Sequence, residues 1–211
     1  TGPTGSGKTT TLYGALNELN SHEKKIITVE DPVEYRLPRI NQVQINTKIN
    51  LSFSSVLRTA LRQDPDVIMV GEIRDQETAE IGLRAALTGH MVLSTLHTND
   101  AISTALRLID MGAAPYLVAS SLRAVLAQRL VRRLCDVCKA EHKPTEQEMT
   151  WISNIAGKDM SNATFSLGSG CQSCNNTGFK GRIGIYELLE MTNERLVSAL
   201  RNGDTEGFSA A

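Results

Sequence analysis

The chain has 211 residues, 41% of them hydrophobic, which is enough to bury one substantial core and to carry a small appended module. Its 22 basic and 23 acidic side chains leave a formal net charge of −1, which excludes the overall cationic field that strong non-specific nucleic-acid binding requires. There is no run of about 18 uninterrupted apolar residues and no signal-peptide pattern, so we expect no membrane span.

A phosphate-binding loop opens the chain. Residues Gly2 to Thr9 fit the pattern G-x-x-x-x-G-K-[ST], in which glycines turn backbone N–H groups towards phosphate oxygens. Lys8 supplies a positive charge and Thr9 offers a hydroxyl to Mg²⁺. The segment Thr9 to Leu19 predicts a helix whose positive end faces the same anion. The predicted nucleotide-binding residues are Gly2, Pro3, Thr4, Gly5, Ser6, Gly7, Lys8, Thr9 and Thr10. The strand that enters such a loop is missing, so we expect a fragment of a longer protein.

Two short apolar runs deliver acidic residues from their carboxyl ends. Ile26 to Val29 ends at Glu30-Asp31-Pro32, and Val67 to Val70 ends at Gly71-Glu72. Both runs predict buried strands. Hydrolysis needs carboxylates near the phosphate loop to hold Mg²⁺ through water and to orient the attacking water.

Each acid has a functional and a structural interpretation. Glu72 is a candidate catalytic carboxylate of Walker B type, although Gly71 stands where that motif has its usual aspartate; the alternative is a surface acid paired with Arg74. Glu30 and Asp31 are catalytic candidates or members of a turn before Pro32. For Glu34 neither interpretation is favoured.

A third strand, Met91 to Leu96, is flanked by two histidines. Because side chains alternate along a strand, His90 and His97 are expected on opposite faces, so they do not act as a pair on one atom. His97 follows the carboxyl end, which is the ligand edge of a parallel sheet, and is the candidate for sensing the γ-phosphate. The alternative for either histidine is a hydrogen-bonded structural residue.

Helical segments separate these strands. They are Ser54 to Arg62, Glu77 to Leu87 with Asp75 as N-cap, and Ala101 to Met111. Alternation of strands and helices predicts an α/β fold with a largely parallel sheet.

Beyond Pro115 the pattern predicts a long helix from Tyr116 to about Leu134. Thr145-Glu146-Gln147-Glu148 is a candidate capping box for another helix, and residues 162–180 are rich in loop formers. A strand over Ile183 to Leu188 and a helix over Asn193 to Arg201 complete the chain.

Four cysteines form two C-x-x-C pairs. Cys135 with Cys138 and Cys171 with Cys174 can each supply two thiolates to a tetrahedral Zn²⁺. With all four ligands from the protein, the metal would be structural. The alternative is four unrelated buried cysteines.

In this order, the motifs resemble those of the bacterial secretion and type IV pilus assembly ATPases. Besides the phosphate loop, Ile27 to Tyr35 is similar to the family's Asp box, and Leu61 to Asp66 leads to Val70 to Asp75, similar to its atypical Walker B. Thr88 to Asp100 is similar to its His box, and the cysteine pairs resemble its tetracysteine module. The resemblance implies a RecA-like P-loop NTPase core, a small zinc-binding subdomain and C-terminal helices. We expect the core at 1–134, the zinc subdomain at 135–190 and the start of the helical region at 191–211.

The resemblance further implies a cytoplasmic ATPase, peripheral to the inner membrane, that forms a homohexamer and binds Mg²⁺·ATP. Hydrolysis would power assembly of a type IV pilus or a type II secretion pseudopilus through an inner-membrane platform protein. By position, Glu72 and Glu30 would serve the catalytic water and the metal, and His97 would couple nucleotide state to conformation. The family's preceding domain and its last helices lie outside the chain.

Three other functions remain open at this point. A retraction motor is one, although such motors typically lack the cysteine module. Another is a P-loop ATPase with a zinc ribbon that acts on nucleic acid, against which the neutral charge and the 4% aromatic content argue. The third is a scaffold that binds ATP without turnover.

Overall fold

A computed structural model describes residues 1–211, and the chain divides into two compact units. The first unit comprises Thr1–Arg129 and Ile185–Ala211, and the second comprises Leu130–Gly184.

The first unit is built on a four-stranded parallel sheet. Its strands are β1 (Ile26–Glu30), β2 (Asn41–Gln44), β3 (Val67–Val70) and β4 (Met91–Ser94), in the order β2-β1-β3-β4. The inner strands β1 and β3 are buried along their whole length, as continuous apolar runs predict for a sheet covered on both faces. The predicted α/β fold with a parallel sheet is confirmed.

Five helices accompany this sheet. They are α1 (Lys8–Leu19), α2 (Phe53–Ala60), α3 (Gln76–Leu87), α4 (Ala101–Asp110) and α5 (Pro115–Ser121). Asp75 caps α3 by accepting a hydrogen bond from the Thr78 N–H, as predicted, and Asp100 caps α4 in the same way. Helix α1 packs in one apolar cluster with Ile26, Val67 and Met69 of β1 and β3. Helix α2 packs in a second cluster with Val29, Ile68 and Val70 of the same two strands.

The long helix predicted from Tyr116 to Leu134 is wrong. Helix α5 ends at Ser121, and Ala124–Leu134 forms strand β5, which pairs with β8 (Phe179–Glu190). Val125 and Ala127 are buried, whereas Ala124 is exposed and Leu126 is half-buried, so Ala124 to Ala127 follow the two-residue period of a strand before the buried Gln128. The Leu, Val and Arg residues of this segment fit the helical period as well as the strand period. Pairing with a distant segment therefore decides that the segment is a strand.

The second unit contains a small antiparallel pair and one helix. Strand β6 (Lys139–His142) pairs with β7 (Phe165–Gly168), and α6 spans Glu146–Ala156. The predicted capping box of Thr145 and Glu148 is present. The loop predicted over 162–180 is wrong at β7, where Gly168 approaches Gly178 so closely that no side chain fits between them.

Two final helices close the first unit. Helix α7 (Glu194–Arg201) matches the helix predicted over Asn193 to Arg201 except that Asn193 is its N-cap, and α8 is Thr205–Ala210. Leu196, Leu200 and Phe208 join α3, α4 and α5 in the largest apolar cluster. The protein contains no helix with the length and apolar character needed to cross a membrane.

Candidate functional site

Strands β1, β3 and β4 have their carboxyl ends in register at one edge of the sheet. Val29 pairs with Val70, and Val70 pairs with Ser94. The Gly71 N–H donates to the Val29 carbonyl at 2.8 Å, and the Thr95 hydroxyl donates to the Gly71 carbonyl at 2.7 Å. The acids that follow β1 and β3 therefore lie at the same sheet edge as the segment that leads to His97, as predicted for parallel strands.

Gly71 is held close to the end of β1. A Cβ atom at this position would lie 3.2 Å from the Val29 carbonyl oxygen and 3.5 Å from Glu30 Cα. An aspartate side chain would therefore require the backbone to shift, which gives a steric reason for glycine where the usual motif has aspartate. The nearest acid along the chain is Glu72.

The phosphate loop has the backbone that its glycines predict. Gly2, Gly5 and Gly7 all have positive φ, at 142°, 78° and 89°. Helix α1 starts directly after Gly7, with no side-chain cap and no acidic residue in its first turn, so the positive helix end is not neutralised by the protein.

Two polar side chains of the loop are suited to an anion. Lys8 Nζ donates to the carbonyls of Gly2 at 2.8 Å and Pro3 at 3.1 Å. Ser6 Oγ is buried and has no hydrogen-bond partner in the protein. An unpaired hydroxyl in the same loop as a lysine ammonium fits a polyphosphate chemically.

Gln128 on β5 fastens the phosphate loop from behind. Its side chain is buried; Nε2 donates to the Ser6 carbonyl at 2.6 Å, and Oε1 accepts from the Thr11 hydroxyl at 2.7 Å. The Gln128 N–H also donates to the Thr1 carbonyl at 2.9 Å, and any side chain at Gly2 would meet the Gln128 carbonyl oxygen. Both ends of the loop are thus fixed by one residue far away in sequence.

Glu72 lies between Arg74 and His97. Oε1 accepts a hydrogen bond from Arg74 Nη2, and Oε2 lies 3.4 Å from His97 Nε2. Burial favours the neutral carboxyl, but the hydrogen bond and charge of Arg74, together with His97, outweigh it and lower the pKa of Glu72 below its usual value. Glu72 is therefore a carboxylate at neutral pH, and its side chain is only 15% exposed.

Lys8 and Glu72 influence each other across the loop. Burial lowers the pKa of the Lys8 ammonium, and the negative charge of Glu72 partly offsets that shift. The phosphate loop and the end of β3 therefore share one electrostatic environment. Asp31 joins it through Arg74, whose Nη1 lies 3.8 Å from Asp31 Oδ2.

Glu30 is enclosed by hydrogen-bond donors. It is 2% exposed; Oε1 accepts from the Thr28 hydroxyl and from Gln42 Nε2, and Oε2 accepts from the Tyr13 hydroxyl. Three elements of the predicted nucleotide core, α1, β1 and β2, thus meet at this buried side chain.

The other acidic and histidine candidates lie apart. Glu34 takes part through its backbone N–H, which donates to the Tyr13 hydroxyl at 3.3 Å. His90 Nδ1 lies 3.1 Å from the Ala85 carbonyl near the end of α3. These surroundings are those of a hydrogen-bonded structural histidine.

The four cysteines of the second unit form a compact cluster. Their sulfur atoms all lie within 4.8 Å of one another, and the neighbouring Sγ–Sγ distances are 3.8–3.9 Å. Four thiolates about 2.3 Å from a central Zn²⁺ would be about 3.8 Å apart. The cluster therefore has the size of a tetrahedral metal site.

Backbone groups support thiolate chemistry at Cys174. Its Sγ accepts N–H groups from Cys171 at 3.2 Å and Gly178 at 3.3 Å. Burial opposes ionisation, but these donors, together with the Cys171 and Cys138 thiols, lower the pKa of the Cys174 thiol to about 6. Burial and the neighbouring thiols raise the pKa of Cys138 to about 11, so the cluster shares its thiolate character unevenly without a metal. The residues present thus fit a metal ion that is bound by thiolates.

Three contributing residues have no counterpart among the sequence candidates: Tyr13, Gln42 and Gln128. Tyr13 is four residues after Thr9 on α1, so helical spacing could have indicated it. Gln42 and Gln128 carried no such signal, because neither segment was recognised as a strand.

Comparison with known proteins gives consistent matches. The family model described as "Type II/IV secretion system protein" matches residues 1–208. The type II secretion system protein E of Aeromonas hydrophila is 54% identical over 202 residues, which cover 94% of this chain and 40% of that protein. The type IV pilus assembly ATPase PilB of Myxococcus xanthus is 53% identical over 189 residues, covering 90% of this chain and 33% of that protein.

A solved structure shares the fold. The pilus retraction motor PilT with bound ADP superimposes with a TM-score of 0.70 and 32% identity, covering all of this chain and 51% of that one. The chain therefore spans about two fifths or less of these curated relatives and about half of PilT.

Proposed function

The chain belongs to the type II/IV secretion system protein family, and from this membership and the geometry of the site we propose that it is the catalytic core of a motor ATPase. The proposed reaction is hydrolysis of ATP to ADP and phosphate. The observation that carries the proposal is the carboxylate of Glu72, held ionised by Arg74 and His97 at the same edge as the phosphate loop.

The proposed binding of ATP rests on the loop. Lys8 and the unpartnered Ser6 hydroxyl would contact phosphate oxygens, while the uncapped end of α1 stabilises their negative charge. Thr9 would hold Mg²⁺, which when bound supplies positive charge to the phosphates.

The proposed chemistry rests on the acids. Glu72 would orient the attacking water and accept its proton, and His97 would report the state of the nucleotide to the strand end through its contact with Glu72. Asp31 would face the metal side, and Glu30, whose oxygens are engaged by the protein, would hold the end of β1.

In the full protein we propose that this work drives assembly of a type IV pilus or a type II secretion pseudopilus. The named relatives include a type II secretion protein and a pilus assembly ATPase, which supports a role in assembling one of these two filaments. The proposed assembly is a homohexamer in the cytoplasm, docked on an inner-membrane platform protein. The cysteine cluster is proposed to bind a structural Zn²⁺.

The test is ATP turnover by the full-length protein. We expect hydrolysis that requires Mg²⁺, that Lys8→Ala abolishes, and that DNA does not alter; light scattering should report a ring. Stimulation by DNA would favour an ATPase acting on nucleic acid, and ATP binding without turnover would favour a scaffold.

A further inference from the structure

Tyr13 is a fully buried residue that connects the phosphate-loop helix to the acidic end of β1. It lies on α1, and its hydroxyl donates to Glu30 Oε2. The Tyr13 hydroxyl oxygen also accepts a hydrogen bond from the Glu34 N–H at 3.3 Å, and the Tyr13 ring packs edge-on against Tyr35 with centroids 4.7 Å apart. One side chain thus holds both ends of the segment from Glu30 to Tyr35.

The contact is specific to α1. The other donors to Glu30 are Thr28 on β1 itself and Gln42 on the neighbouring strand β2. Both therefore fix the carboxylate within the sheet, whereas Tyr13 fixes it relative to the phosphate loop. A buried carboxylate is stable only with such partners, so the geometry of the three donors decides where Glu30 sits.

Tyr13 remains a donor throughout the physiological pH range. Burial, followed by its hydrogen bond to Glu30, raises the pKa of the phenol to about 12. The hydroxyl proton is therefore always available for Glu30.

The helix carries Tyr13 and Thr9 on the same face. Residues four apart in a helix are surface neighbours, and α1 runs from Lys8 to Leu19 without interruption. A displacement of α1 when the phosphate loop changes state therefore moves the Thr9 hydroxyl and the Tyr13 hydroxyl together.

We propose that Tyr13 is a positioning residue for ATP hydrolysis, which sets the distance between the phosphate-loop helix and the acidic end of β1 through its hydrogen bond to Glu30. It does not contact substrate. Its effect falls on the chemical step, because the acids at the end of β1 must be registered against the bound phosphates, and small displacements there are costly. The proposal rests on the ATPase function proposed above.

The first experiment is Tyr13→Phe in the full-length protein, which removes one hydroxyl and keeps the ring. We expect kcat to fall about tenfold, while KM for ATP stays within about twofold, since the phosphate loop itself is unchanged. Tyr116→Phe, the same change at a half-exposed ring on α5, serves as the control. Turnover is expressed per ATP bound at saturation, so a loss of folded protein does not register as a loss of kcat.

A double-mutant cycle with Glu30→Gln separates positioning from general destabilisation. If Tyr13 acts through Glu30, Tyr13→Phe lowers kcat in the wild-type background but has little further effect beside Glu30→Gln. Urea unfolding of both single variants and of the double variant shows whether each one is folded under the conditions of the assay.

Several results would overturn the role of Tyr13. They are an unchanged kcat, a raised KM with unchanged kcat, and an equal loss in both backgrounds of the cycle. If the wild-type protein did not hydrolyse ATP, the proposed function itself would fail. Turnover by the wild type with unchanged kcat in Tyr13→Phe would overturn only the positioning role.

Discussion

Glu72 has one partner side chain on each carboxylate oxygen. Arg74 occupies Oε1 and His97 approaches Oε2, so the side chain is both ionised and oriented. Arg74 is 59% exposed and also approaches Asp31, so it reaches the acids of two strand ends from the solvent side. At the scale of single residues, Arg74 therefore lowers the pKa of the proposed catalytic carboxylate and fixes its direction.

We expect Arg74→Gln to lower the free energy of unfolding by about 0.5 kcal/mol at pH 7, as for an exposed ion pair. Arg74 and His97 lower the pKa of Glu72 below its ordinary 4.5, so the stabilisation is complete above that value. It is lost as the pH falls through the lower folded-state pKa.

Urea unfolding of wild type and variant between pH 7 and pH 3 measures the difference. Arg201→Gln, an exposed arginine on α7 without an ion pair, is the control. A difference for Arg74→Gln that stays constant down to pH 3 would show that Glu72 is not its partner in solution.

At the scale of elements, β5 is the segment of chain between the residue that holds the phosphate loop and the first cysteine of the cluster. It begins beside the phosphate loop, where Gln128 holds Ser6 and Thr11, and it ends at Leu134, one residue before Cys135. Because the segment is extended, the Gln128 N–H is free to donate to the Thr1 carbonyl. In a helix over the same residues this N–H would bond within the helix instead.

Gln128→Leu should weaken ATP binding about tenfold, because it removes one buried and one partly buried hydrogen bond that shape the loop and leaves the Ser6 carbonyl unpaired. Thr11→Val removes only one of them and should have a smaller effect. Titration of full-length protein with a fluorescent ATP analogue measures both. Equal affinities for Gln128→Leu and wild type would mean that the loop keeps its shape without β5.

Elements with strong local signals could be predicted from the sequence. The runs of β1 and β3, the Asp75 cap and the Thr145 capping box have direct physical causes in neighbouring residues. The polar strands β2 and β6 carry no apolar period, because β2 is an edge strand and β6 is exposed, so the sequence did not indicate them.

The residues of the site that belong to local motifs could also be predicted from the sequence. The phosphate loop, Glu72 and His97 follow from motifs at strand ends, and their meeting follows from parallel pairing. The enclosure of Glu30 by Tyr13 and Gln42 depends on contacts between distant segments, which no local pattern encodes.

At the scale of the whole molecule, the two units are stabilised differently. The first has several apolar clusters. In the second, Leu130–Gly184, the buried residues are Cys135, Cys174 and Gly178, and α6 has none. A unit without an apolar core needs another source of stability, and the cysteine cluster supplies the ligands for one.

Metal removal should therefore unfold the second unit selectively. We expect about one Zn²⁺ per chain by elemental analysis, and chelation should make residues 130–184 sensitive to proteolysis while 1–129 stays protected. Cys174→Ser should act in the same way, whereas Ser173→Ala, next to it and exposed, should not. Equal protection with and without metal would contradict this account.

Single-turnover ATP hydrolysis by the full-length protein tests the proposed role of Glu72 directly, with wild type beside Glu72→Gln and with Glu18→Gln as an exposed control on α1. We predict that Glu72→Gln lowers the rate about 100-fold or more while ATP affinity stays within about twofold, because the carboxylate acts on the attacking water and not on the bound phosphates. An unchanged rate in Glu72→Gln would contradict the account and move the chemistry to the acids at the end of β1.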